Sequence, residues 1–188
     1  MPSLKERIRL LEDDLTAAEL RISAYHDMPF AIFRYDPTEE FDARSEVALL
    51  ITRLRRLHGK EVVEVSLGEL MFKALEKEVG LEILFSGEVS DGLERTVDTV
   101  HNILTELQPL DELIAERLQN RDPRATVAFL TRAGALFPAF RTSALLENMR
   151  GRIHVPTILL YPGVLQGTVG LSFMGVCEAD HNYRPKIY

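Results

Sequence analysis

The side chains of this sequence best placed to do chemistry are Arg34, Asp36, Thr131, Arg132, Arg141 and Tyr161. Arg34 and Asp36 sit at the end of one apolar run, residues 29–35 (PFAIFRY). Thr131 and Arg132 end a second, residues 126–131 (TVAFLT), and Tyr161 ends a third, residues 155–161 (VPTILLY). Arg141 begins the helical stretch that follows the second run. If the runs are parallel strands, their carboxyl ends share one sheet edge, where these groups can converge. An arginine there can bind an anion, pair with Asp36 or hold a loop. Buried charges are usually paired, so a structural role leads and a pocket or partner surface follows.

Other chemistry is hard to find. Neither GxxxxGK[ST] nor GxGxxG is present, so a phosphate loop and a dinucleotide site lack support. His26, His58, His101, His154 and His181 show no HExxH or paired metal spacing. GxSxG is absent, and Ser143 beside Arg141 suits a helix start better than a nucleophile. Cys177 lies in an apolar run and reads as a buried structural thiol. The expectation is therefore no catalytic group, no metal and no cofactor. Nucleotide or nucleic-acid binding at an Arg34/Arg132/Arg141 edge stays as the alternative to a protein-interaction module.

The elements that must hold these residues follow from periodicity. Short apolar runs bounded by turn signals read as buried parallel strands. They are the three above and residues 61–66 (EVVEVS). Asp36-Pro37 stops the first strand, because proline brings no ladder donor. Residues 38–58 read as a helix with Val47, Leu50, Ile51, Leu54 and Leu57 buried and Gly59 as its stop. Arg53, Arg55 and Arg56 crowd its last turns, where cations suit the helix dipole. Residues 67–79 form a helix closed by Gly80, and residues 81–87 are ambiguous. A long helix is expected from a Ser90 cap through Leu107, with Leu93, Val97, Val100, Leu104 and Leu107 in step, then a helical piece over residues 110–118. The TVAFLT strand breaks at Gly134 and Phe137-Pro138 before a helix over residues 139–149. Residues 171–177 and 183–188 are two short final strands, expected to extend one edge antiparallel. Alternation of strands and helices argues for an α/β fold: a mostly parallel sheet of about four to six strands with helices on both faces, a Rossmann-like three-layer order.

Ahead of this domain, residues 3–15 are amphipathic, with Leu4, Ile8, Leu11 and Leu15 at helical spacing and a Ser3/Glu6 capping box. Such a helix most often docks on its own domain; as a free arm, those four residues are the candidate partner-binding stripe. We read residues 1–188 as one domain with residues 1–22 as a helical extension.

Composition narrows the class. A chain of 188 residues with 46% hydrophobic and 27% charged content can bury a real core. A net charge of −7 argues against strong direct DNA binding, which needs clustered Lys and Arg. One cysteine suits a reducing cytoplasm. The charged N-terminus is no secretory signal, and no apolar stretch is long enough for a membrane span.

The order FLTRAGALFPAFRTSALLENM, ILLYPGVLQG and NYR resembles the BrxB family of BREX bacteriophage-defence systems. Thr131, Gly134, Phe137, Pro138, Arg141, Leu145 and Asn148 match its first segment; Tyr161, Pro162, Gly163 and Gly167 match its second; Asn182, Tyr183 and Arg184 match its third. FRYDP, residues 33–37, resembles the family's first strand and turn. Arg132 replaces a family glycine, Ser143 a histidine and Val164 an acidic residue, which removes the two family positions most capable of chemistry. The resemblance implies a cytoplasmic, non-enzymatic accessory component of an antiviral complex. Other subunits of such systems supply methyltransferase, ATPase and phosphatase-like activities, and a PglZ-like protein of the alkaline-phosphatase superfamily is the implied direct partner.

Overall fold

A computed structural model describes residues 2–22, 29–167, 170–180 and 185–188. His26, His181 and the motif residues Asn182, Tyr183 and Arg184 lie outside the described residues. In chain order the elements are α1 (Leu4–Thr16), β1 (Phe30–Tyr35), α2 (Glu40–Arg56), β2 (Glu61–Ser66), α3 (Leu67–Glu78), α4 (Leu81–Asp91), α5 (Leu93–Asn102), α6 (Leu110–Leu118), β3 (Thr126–Thr131), α7 (Thr142–Asn148), β4 (Thr157–Gln166), β5 (Gly170–Phe173) and β6 (Lys186–Ile187).

The sheet runs in the order β2-β3-β4-β1-β6, with every neighbouring pair parallel. β5 folds back antiparallel on the carboxyl half of β4. Helix placement follows from chain direction. The step from β1 to β2 crosses the sheet one way, and the steps from β2 through β3 to β4 return the other way. Right-handed crossovers then require helices on opposite faces. The buried residues obey this. Ala31, Phe33 and Tyr35 of β1 face α1 and α2, whereas Phe30 and Ile32 join the core under α3 to α7. The mostly parallel, two-faced α/β architecture expected from the sequence is what the chain adopts.

Several local expectations differ. Leu57, placed in the buried stripe of the second helix, is 73% exposed at the helix C-cap, just past Arg56. Ser90 caps no helix: it lies inside α4, and the chain bends at Gly92, whose φ of 90° suits glycine alone. The ambiguous residues 81–87 belong to α4, and the stretch read as one long helix is α5 followed by a π-type turn over Ile103–Leu107. β5 is antiparallel as expected. The last strand is not: β6 pairs parallel with β1, at the sheet edge away from β5.

The N-terminal helix carries the expected capping box, Ser3 and Glu6 bonding each other's backbone N–H. Its stripe is spent inside the chain. Ile8, Leu11 and Leu15 pack with α2 and β1, and Leu4 lies partly buried against them. The partner-binding role assigned to those four residues therefore gives way to the docked reading. Arg53 of α2 reinforces the contact by pairing with Glu12 at 2.8 Å.

Asp14, near the end of α1, accepts hydrogen bonds from Lys186 and the Tyr188 hydroxyl, tying the helix to β6. Burial pushes its carboxyl pKa up, but those hydrogen bonds and the Lys186 charge outweigh burial, leaving it below the usual carboxylate value. A carboxylate with a depressed folded pKa stabilises the fold above its unfolded value, and this is lost as pH falls through the folded value. Asp14→Asn is expected to lower the urea midpoint at neutral pH. The gap to the wild type should narrow below about pH 4, the ordinary carboxylate value. A gap that stays constant on acidification contradicts the assignment.

Candidate functional site

The six candidate residues are only partly brought together. Arg34 and Tyr161 are register partners on β1 and β4 and lie on the same sheet face. The Arg34 guanidinium donates to the Gly163 carbonyl at 3.4 Å. Asp36 turns to local work: its carboxylate accepts from the Thr38 hydroxyl at 2.6 Å and the Thr38 N–H at 2.9 Å, starting the short turn into α2. Those two donors, the hydroxyl first, hold its pKa below the usual carboxylate value. Thr131 ends β3 opposite Ser66. Arg132 follows in the left-handed region at φ 57°, and Arg141 precedes α7; both are exposed. Tyr161 is 0% exposed, with its hydroxyl 3.4 Å from the Leu171 carbonyl and its ring 5.4 Å from that of Phe173. It is packing, not pocket lining, and leaves the cluster on that ground.

The place over the end of β4 is taken by the hairpin. In a doubly wound sheet, ligands bind where neighbouring connections leave to opposite faces. Here the chain leaves β1 toward α2 on one face and β3 toward α7 on the other, so that position lies over the end of β4. But β4 does not stop there. It runs on through Tyr161-Pro162-Gly163 and pairs with β5, Gly163 facing Phe173. The loop after β3, with its cis Phe137-Pro138 bond, closes on the same spot. Phe137 meets Phe173 edge-on at 6.3 Å. A Cβ built on Gly134 would lie 3.4 Å from the Met174 sulfur and 3.5 Å from Pro162. A Cβ on Gly68 of α3 would lie 3.1 Å from Ala135. The threonine-glycine-proline segment and the YPG segment are thus two halves of one packed plug.

One cavity, about 460 Å³, opens at the amino end of the sheet and is lined by Glu112, Arg121, Arg152, His154 and Val155. Arg152 there pairs with the buried Asp111 at 2.9 Å and with Glu112 at 3.3 Å. Arg152→Ala is expected to cost about 1 kcal/mol, because it strips a buried carboxylate of a charged donor; a chemical-denaturation curve reads this, and an unchanged midpoint contradicts it. A second hollow, about 300 Å³, lies beside Arg34, with Arg7, Leu10, Leu165 and Lys186.

Arg7 and Lys186 were missed from sequence. Arg7 is buried, donates to the carbonyls of Arg34 and Tyr188, and lies 5.2 Å from the centre of the Phe33 ring. Burial first, and the Arg34 charge second, pull its pKa below the usual arginine value. One signal was available: Arg7 sits three residues after Leu4 and four before Leu11, inside the apolar stripe. Lys186 offered none. Among the described residues, no three His, Cys, Asp or Glu side chains gather as a metal site, and no helix is long and apolar enough to cross a membrane.

Fold and site define a doubly wound α/β protein whose switch-point crevice is filled by its own hairpin. The model of the family described as BREX protein BrxB matches residues 63–187, and the chain belongs to that family. It is also similar to a BREX protein BrxB of Bacillus cereus (strain H3081.97), 26% identical over 187 residues, covering 98% of this chain and 96% of that protein. No solved structure matches it with significant similarity. Family membership makes it a component of a BREX phage-defence system.

Proposed function

We propose that this chain is a non-catalytic interaction component of its BREX assembly, acting in the cytoplasm and holding a PglZ-like partner of the alkaline-phosphatase superfamily. The observation that carries the reading is the plug: Tyr161, Gly163, Phe137 and Phe173 occupy the place where this fold usually receives a ligand. What the motif residues preserve is then a shape. The replacement of the family histidine by Ser143 and of its acid by Val164 fits a role that needs neither. The acidic balance favours protein partners over a nucleic-acid backbone. The test is co-expression with the other proteins of the same system, with this chain tagged, followed by mass spectrometry. The expected result is a PglZ-like protein recovered in fixed stoichiometry. Recovery of a folded chain alone counts against the reading.

A further inference from the structure

The α4–α5 pair is sparsely buried, and its surface is unusual. In α4 only Leu84 is buried, and in α5 only Val100. Phe85 and Val89, four residues apart and so on one face of α4, are 55% and 90% exposed. Leu93, just past the Gly92 bend, is 63% exposed. It continues the stripe of Val97, Val100 and Leu104, so the apolar face that anchors α5 at its far end runs out beyond the core at this end. An exposed apolar face of this sort, rimmed by charge, marks an interaction surface.

The rim says what kind of partner fits. Residues 76–106 hold eight acidic side chains and two basic ones, a net of −6 against −7 for the whole chain. Nearly all of the net charge is therefore gathered on and beside these two helices. Two copies meeting through this face would bring like charge against like charge, which disfavours self-association. Nucleic acid is disfavoured for the same reason.

We infer that the α4–α5 face docks another protein of the system through an apolar patch ringed by Lys and Arg. Phe85, Val89 and Leu93 enter the patch, and Glu88, Asp91 and Glu94 meet the basic rim. This rests on the interaction reading above and adds the surface and the partner's chemistry. The charged rim steers encounter, so binding should weaken as salt rises.

The experiment is a binding titration of the whole chain against the partner recovered from co-expression. It compares wild type, the double variant Phe85→Ser/Val89→Ser, and the triple charge reversal Glu88→Lys/Asp91→Lys/Glu94→Lys. All five positions are exposed, and a thermal melt checks that each variant folds. The expected result is at least a tenfold loss of affinity in the double variant, as for a truncated aromatic anchor. The triple variant should bind more slowly and lose the salt dependence. A partner that binds wild type and both folded variants equally overturns the docking face and leaves the interaction reading standing. No partner at all overturns both. Dimers of the chain itself at high salt, abolished by Phe85→Ser/Val89→Ser, also overturn the inference, because a second copy is then the occupant.

Discussion

Gly163→Ala is expected to destabilise this chain by about 3 kcal/mol, within the upper part of the range for forcing extra volume into a packed site. A Cβ at this position would sit well inside contact distance of the Tyr161 ring and of the Ser172 carbonyl. Neither can swing aside. The tyrosine is fully buried, and the carbonyl belongs to the backbone of β5. Relief requires separating β5 from β4 where Gly163 faces Phe173. For a chain of this length the loss corresponds to a melting temperature lower by roughly 6–12 °C. Gly87→Ala is the matched control. Its Cβ would meet nothing within 4 Å, and it lies in α4, where alanine is the better helix former. That variant should be neutral or gain up to about 1 kcal/mol. If the Gly163 variant melts with the wild type, the plug is not the close-packed seat described above.

Leu11→Ala should cost about 2–5 kcal/mol, the range for removing a buried leucine from a core that collapses incompletely. Leu11 is fully buried between α1, α2 and the sheet. Its neighbour Leu10 is 53% exposed, so Leu10→Ala should stay within about 0.5 kcal/mol of wild type. The pair separates two views of the N-terminal helix by denaturant midpoint alone. A helix integral to the fold gives a large difference between adjacent leucines. A loosely attached arm gives two small and similar effects.

Much of this fold was legible because its strands are short apolar runs and its helices keep strict spacing. FAIFRY, EVVEVS, TVAFLT and the start of TILLYPGVLQ all form the strands expected of them. What sequence could not supply was how far each element runs. Gly163 follows a proline and looks like a stop, yet β4 passes through it to pair with β5, because that glycine lets the Tyr161 ring lie close. The same continuity shapes the candidate edge: one of its strand ends, that of β4, runs on into the hairpin. Leu93 and Leu107, both in one periodic stripe and both exposed, illustrate a second limit. Periodicity marks an apolar stripe, but only packing shows whether anything covers it. Arg132 and Arg141 kept their place near the edge yet are exposed on loops, since a position at a strand end does not fix where the following turn carries it.

The most direct test of an interaction component without chemistry of its own is a titration of this purified chain against a purified PglZ-like protein of the same system, followed by light scattering on a sizing column. The account expects one complex of fixed stoichiometry at micromolar concentration. Two separate peaks at every mixing ratio, each of a folded protein, would contradict it.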